Sequence, residues 1–152
     1  MAKPFEMASG LLLPDPEDEV TRGFWAGTAR GELCVQRCAS CGHRRMPPRP
    51  MCPGCRSLDS VWEAISGRGS VWSFAVPHPP LLPAYSELAP YNTIIVSVDE
   101  DPAIRFVGNL VASAEGAINE IDPASIEVGE PVQVVFAPID DVFLPRWVRA
   151  TG

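Results

Sequence analysis

The sequence predicts a mainly β protein in which a short N-terminal helix and a metal-binding ribbon precede a small antiparallel barrel. Three observations carry that expectation. Cys38, Cys41, Cys52 and Cys55 stand in two CxxC pairs, several later segments alternate apolar and polar residues with period 2, and Pro- and Gly-rich turns separate those segments.

Residues 1–14 show no periodicity and are expected to form a flexible arm, its Leu11-Leu12-Leu13 run cut short by Pro14. A helix is expected over residues 15–31. Asp15 can cap it, Pro16 suits its first position, and Glu17, Asp18 and Glu19 complement its positive end, while Gly27 or Gly31 can stop it. Val20 and Phe24, four apart, share a face beside Trp25. Such an aromatic face is expected to dock on the core or on another subunit, because exposing it would cost a few kcal/mol.

Residues 32–60 are expected to form the ribbon. Each CxxC turn aims two sulfurs at one point, so two turns close a tetrahedral shell around Zn²⁺ with no open position for a substrate, and the metal is expected to be structural. Ten residues separate the pairs, which suggests one tight hairpin between the knuckles. Two disulfides are the alternative, disfavoured because no secretory leader precedes Met1-Ala2-Lys3-Pro4 and a reducing cytoplasm is therefore expected. Cys34, within Leu33-Cys34-Val35, reads as a buried strand thiol.

Residues 61–152 are expected to form the barrel. Val61 to Ile65 reads as a short strand and Gly67-Arg68-Gly69 as a bend. Trp72, Phe74 and Val76 then alternate with Val71, Ser73 and Ala75, as do Ile94, Val96 and Val98, and after an Asp99–Pro102 turn Ile104, Phe106, Gly108 and Leu110. Val132, Val134 and Phe136 follow the Gly129-Glu130-Pro131 turn, and Trp147 with Val148 suggests a last edge. Five or so strands with turn-like joints favour an OB-like Greek key over a sandwich. The segment from Pro77 to Pro90 is a long proline-stiffened loop, a length that compact domains usually reserve for function.

A net charge of −7 argues against a general nucleic-acid binder. Six arginines between Arg30 and Arg56 face the single acid Glu32, whereas the chain from Val61 onward offers only Arg68, Arg105, Arg146 and Arg149 as positive residues. A barrel groove for single-stranded nucleic acid, the alternative function for a ribbon joined to such a barrel, would lack its usual charge. A closed four-thiolate shell cannot activate water, which disfavours a zinc hydrolase, although iron in the same cage would give a redox centre. His78, alone in a proline loop, carries no acid–base constellation. No apolar run reaches the roughly 20 residues of a membrane span.

One order of motifs runs through the chain: Phe24-Trp25, Gly31-Glu32-Leu33, Gln36-Arg37-Cys38-Ala39-Ser40-Cys41-Gly42, Pro47-Pro48-Arg49, Cys52-Pro53-Gly54-Cys55, Gly67-Arg68-Gly69, Pro90-Tyr91 and Gly129-Glu130-Pro131-Val132. This order resembles the acyl-CoA-associated proteins that join a rubredoxin-like zinc ribbon to an OB fold, a family long catalogued as a domain of unknown function. The resemblance implies a non-catalytic subunit that sits beside a thiolase-fold enzyme such as a thiolase, an acyltransferase or a steroid side-chain aldolase. It transfers no catalytic residue. Some relatives are fused to a hydratase-like domain, for which this chain has no room.

The expected function is thus an accessory subunit supporting assembly and acyl-CoA handling, with catalysis on the partner. Arg44, Arg45 and Arg49 are expected to offer forked hydrogen bonds to the phosphates of coenzyme A. Phe24, Trp25, Pro79, Leu81, Leu82 and Tyr85 are the expected anchors for the partner.

Overall fold

In a computed structural model, which describes residues 10–151, one helix packs against two antiparallel sheets. Residues 1–9 of the expected arm lie outside the described residues; of the rest, Leu12 donates its backbone N–H to the Tyr85 hydroxyl at 3.3 Å.

The helix, α1, spans Arg22–Ala29 and is shorter than the expected 15–31. Aspartates explain its late start. Asp15 Oδ1 accepts from Glu17 N–H, and Asp18 Oδ1 accepts from the N–H groups of Val20 and Thr21 and from the Thr21 hydroxyl. Each carboxylate thereby offers the backbone a turn in place of a helix. At the other end Gly31, at φ 77°, allows Glu32 N–H to reach the Gly27 carbonyl and Gly31 N–H the Thr28 carbonyl, a paired closure that stops the helix.

The first sheet has the order β2-β1-β3, with β1 at Leu33–Cys38, β2 at Arg44–Arg45 and β3 at Ser60–Ile65. Strand β3 contains the Val61–Ile65 segment expected within the barrel. Its register, from Leu33↔Ile65 to Cys38↔Ser60, pairs it with the ribbon's first strand. The ribbon is therefore clamped at both ends, because the chain entering the first knuckle is hydrogen-bonded to the chain leaving the second. Gly23 of α1 leaves no room for a Cβ against the Trp62 indole, so helix and ribbon are in direct contact.

The second sheet has the order β6-β5-β4-β7-β8: β4 Arg68–Ala75, β5 Thr93–Val98, β6 Asp101–Gly108, β7 Pro131–Ile139 and β8 Val142–Arg149. A parallel bridge between Leu110 and Trp147 brings the two terminal strands together just beyond the end of β6. A three-strand meander, a return to its first strand and a parallel closure give the OB-like Greek key. Val71, Val96, Phe106, Leu110, Val132 and the fully buried Trp147 fill it.

One alternation is inverted. Val71 is in the core while Trp72 is 49% exposed, although Trp72 and Phe74 read as the apolar face. Gly69 and Val71 take the buried phase, so alternation turns Trp72 outward, and a bulge between Val71 and Ser73, where Val71 opposes Val96 and Ser73 opposes Ile95, leaves it without a partner. After the bulge Phe74 opposes Ile94 but lies near the strand's end and remains partly open to solvent.

The proline loop is ordered around a second apolar cluster. Tyr91, Val111 and Ile118 are buried there, with Leu81, Tyr85 and Leu88 packed on them, and a short helix, α2, forms at Pro83–Ser86. Beside it Asn92, fully buried, donates to the Leu110 carbonyl at 2.9 Å and accepts from the Leu110 N–H at 2.6 Å, tying β5 to the residue that closes the barrel.

Candidate functional site

The four cysteine sulfurs lie within 4.8 Å of one another. Cys38 Sγ is 3.5 Å from Cys55 Sγ and Cys41 Sγ is 3.7 Å from Cys52 Sγ. A tetrahedron with Zn–S bonds of ~2.3 Å has edges of about 3.8 Å, so the donor set and its size fit zinc. The knuckles are built alike. Gly42 N–H bonds to the Cys38 carbonyl and Arg56 N–H to the Cys52 carbonyl, and both Gly42 and Arg56 adopt left-handed φ, 76° and 65°, to turn the chain away from the sulfurs. Glycine is free to do so; for Arg56 the conformation is uncommon and is held by the knuckle.

The backbone lowers two of the four thiols, while Cys41 is pushed up to about 11 because the His43 backbone bond that lowers it is outweighed by the hydrogen bonds of Cys55, Cys52 and Cys38 and by burial. The Cys41 N–H, with that of Ser40, pulls the Cys38 thiol down to about 6, and the Cys55 N–H lowers that of Cys52. Cys38 and Cys52 are buried while Cys41 and Cys55 are exposed, which places the site at the ribbon's tip with one sulfur of each knuckle turned inward. The site is a structural zinc centre: four thiolates leave the ion no position for substrate. None of the four cysteines is paired in a disulfide, and Cys34 is buried in β1 outside the cluster, where burial raises its thiol above the ordinary value.

The three arginines expected at phosphates have different surroundings. Arg44 makes a fork to Glu63, with Nη2–Oε1 at 2.7 Å and Nε–Oε2 at 3.2 Å, and Arg37 reaches the same carboxylate at 3.1 Å. The Arg44 hydrogen bonds hold the Glu63 carboxyl below its usual value. Arg45 is buried, its Nη2 on the Arg49 carbonyl at 2.9 Å. Only Arg49 turns its side chain outward; its backbone N–H donates to Gln36 Oε1 at 2.8 Å and holds the loop between the knuckles.

The six residues expected at a partner face divide similarly. Phe24 is 6% exposed and stacks on Phe106, with ring centroids 6.1 Å apart, so it belongs to the core of the isolated chain. Trp25, edge-on to Phe24 at 4.8 Å, is half-buried and borders two concavities. One, of about 660 Å³, lies between α1 and the β7–β8 turn and is lined by Glu17, Arg22, Asp141 and Phe143 among others. The second, of about 430 Å³, separates α1 and the ribbon residues Met46 and Pro47 from β6 and β8. Pro79 and Leu82 are exposed on the proline loop, whereas Leu81 and Tyr85 pack on the second apolar cluster.

A feature that sequence reasoning missed lies beside the second groove. Arg105 places its guanidinium carbon 3.8 Å over the Trp72 ring, on the outer face of the barrel. The signal lay in the alternation of β6, where Arg105 and Val107 fall out of phase with Ile104 and Phe106. Pairing that arginine with Trp72 required knowledge of which face of β4 is buried and of the order β6-β5-β4.

A four-thiolate ribbon clamped through α1 to a five-stranded barrel defines a zinc-ribbon and OB-fold protein. Residues 25–60 match the family model described as the ChsH2 rubredoxin-like zinc ribbon domain, and residues 62–137 match that of the ChsH2 C-terminal OB-fold domain. The chain belongs to the DUF35 family. A DUF35 domain-containing scaffold protein of Methanothermobacter thermautotrophicus is 32% identical over 72% of this chain and 75% of its own length. The 3-oxo-4,17-pregnadiene-20-carboxyl-CoA hydratase alpha subunit of Mycobacterium tuberculosis is 34% identical over 95% of this chain. A probable enoyl-CoA hydratase alpha subunit of Thermomonospora curvata is 38% identical over 84%. The chain spans only 42% and 36% of those two proteins.

Among solved structures, a chain of the Ltp2-ChsH2(DUF35) aldolase superposes with a TM-score of 0.76 at 32% identity, covering 91% of this chain and all of that one. A DUF35 protein of unknown function from Sulfolobus solfataricus, at 13% identity and a TM-score of 0.56 over 88% of this chain and 87% of its own, shares the fold. No helix among the described residues is long and apolar enough to cross a membrane.

Proposed function

We propose that this chain is a non-catalytic accessory subunit of a thiolase-fold acyl-CoA enzyme, a thiolase, an acyltransferase or a steroid side-chain aldolase, which it helps to assemble and supply with acyl-CoA. The observation that carries the reading is the superposition along nearly the whole chain on a chain of the Ltp2-ChsH2(DUF35) aldolase. Relatives named as scaffold proteins support it. The chemistry of the site agrees, since its one cysteine cluster is a closed structural shell and offers no reacting position.

In this reading Arg49 is the phosphate contact of the three arginines, because Arg44 is held by Glu63 and Arg45 is buried. Trp25 and the exposed Leu82 present apolar surface to the partner. Hydration of an acyl-CoA, the activity in the names of two relatives, is not assigned to this chain, which spans less than half of either.

Co-expression with the thiolase-fold protein encoded nearest to this chain's gene tests the proposal. The two should co-elute in size-exclusion chromatography, and carbon–carbon bond cleavage or condensation of acyl-CoA should require both. Turnover by this chain alone, or full partner activity without it, would overturn the reading.

A further inference from the structure

We infer that the outer face of β4, β5 and β6 is an interface core, covered in the assembled enzyme by an apolar patch of the partner subunit that sets one carboxylate on Arg105. The inference rests on the accessory-subunit reading and says which surface of this chain the partner covers.

Register fixes what the face contains. Val71 opposes Val96 and Val96 opposes Phe106, all three buried, so the residues flanking them on each strand point out of the barrel. These are Trp72 and Ser73 on β4, Ile95 and Ser97 on β5, and Arg105 and Val107 on β6. Ile95 opposes Ser73 on one side and Val107 on the other, and Ser97 opposes Arg105.

The solvated face of an antiparallel sheet is ordinarily polar. Here Trp72 is 49% and Val107 66% exposed, and Arg105 is the one charge among the six residues. The chain has 19 acidic residues, yet those nearest along these strands, Asp99, Glu100 and Asp101, gather at the β5–β6 turn beyond the end of the face. Scarce charge around a tryptophan and an arginine is the make-up of an interface core, not of a solvated surface. In an OB barrel this is also the face of the second and third strands, the one such folds turn to their ligands.

Arg105 selects the occupant. Its guanidinium carbon lies 3.8 Å over the Trp72 ring, so each side chain holds the other in place before any contact, and it makes no ion pair among the described residues. Covering it with apolar surface alone would strip water from an unpaired cation, a penalty that an opposing charge offsets. A carboxylate supplies that charge at the guanidinium's edge while its plane stays on the indole. A second copy of this chain fits less well, since it brings the same six residues, with another Arg105 and no acid among them. Single-stranded nucleic acid finds one ring and one cation there, in a chain of net charge −7. Arg105 and Val107 also border the groove of about 430 Å³ that Trp25 lines, so the face continues into the surface that presents Trp25 to the partner.

Affinity of variants for the co-expressed thiolase-fold subunit, measured beside melting of the isolated chain, tests the inference. Trp72→Ser and Arg105→Glu alter exposed side chains and should change melting little, while each weakens the complex tenfold or more. Leu58→Ser, on the ribbon and 72% exposed, should bind as wild type does. In a scan of the partner's acidic residues to lysine, one substitution should restore binding to Arg105→Glu; if none does, the carboxylate is refuted. Should Trp72→Ser melt early, Val107→Ser on the same face takes its place. A stable complex that no variant of this face weakens overturns the inference and leaves the accessory reading intact, whereas failure to form any complex overturns both. A homodimer, or a complex with a single-stranded oligonucleotide, that Trp72→Ser and Arg105→Glu dissociate would give the face to another occupant and also refute it.

Discussion

Replacing Asn92 by alanine should uncouple the barrel's closure from its meander, and the cost can be worked from the bonds. Asn92 donates to and accepts from Leu110, whose side chain is fully buried, so the substitution leaves one backbone N–H and one C=O without partners where water does not replace them. Each orphaned buried group costs about 1–3 kcal/mol, which puts the loss at about 2–6 kcal/mol. That is a large part of the roughly 5–15 kcal/mol that holds an ordinary domain together. Asn92→Asp separates the two bonds. An ionised carboxylate still accepts from Leu110 N–H but repels the Leu110 carbonyl, so the folded state favours the protonated acid and its pKa is raised above the unfolded value of about 3.9. Between those two values the folded state binds more protons than the unfolded one, and stability falls as pH rises. The Asp variant should therefore lie closest to wild type near pH 4 and furthest at pH 7. Urea unfolding of wild type and both variants across that range measures it. A loss under about 1 kcal/mol for Asn92→Ala, or a deficit for Asn92→Asp that widens toward acid pH, would refute the argument that this pair closes the barrel.

The parts of the molecule legible in the sequence are those set by neighbours in the chain. A CxxC turn brings its two sulfurs together whatever surrounds it, so Cys38, Cys41, Cys52 and Cys55 could be read without a fold. Ile94, Val96 and Val98 likewise declare their buried face by period alone. Three features escaped because their cause lies elsewhere in space. The helix starts at Arg22 because Asp15 and Asp18 each capture local N–H groups, a competition in which either outcome suits the same composition. Trp72 faces outward because Gly69 and Val71, one residue out of phase with it, take the buried face, and either phase suits a segment with apolar residues at both. Arg44 is occupied by Glu63, which lies 19 residues away and meets it only because β1 runs between β2 and β3. The outer face of β4, β5 and β6 is invisible for the same reason: which strands stand side by side is a property of strand order, which alternation does not encode.

The remaining predictions concern the metal, the ion pair and the helix. Elemental analysis should find about one zinc per chain, and Cys41→Ser or Cys55→Ser should unfold the ribbon, since structural zinc contributes on the order of 10 kcal/mol in such modules; a folded, zinc-free ribbon with disulfides in its place would contradict this. Because Arg44 holds the Glu63 carboxyl below its ordinary value, the stability that this ion pair adds is present above the unfolded pKa and is lost as pH falls through the folded one. Glu63→Gln should therefore flatten the acid limb of the stability curve, and an unchanged limb in pH-dependent melts would exclude the pair as its source. Trp25→Ala should lower the stability of the isolated chain by about 1–2 kcal/mol, since a half-buried ring loses its edge-on contact with Phe24 and part of its apolar burial. Because the same ring borders both grooves, it should also weaken partner binding by about 2 kcal/mol beyond what unfolding explains. Calorimetric titration at a temperature where the variant is fully folded separates the two losses, and unchanged affinity there would confine Trp25 to packing within the chain.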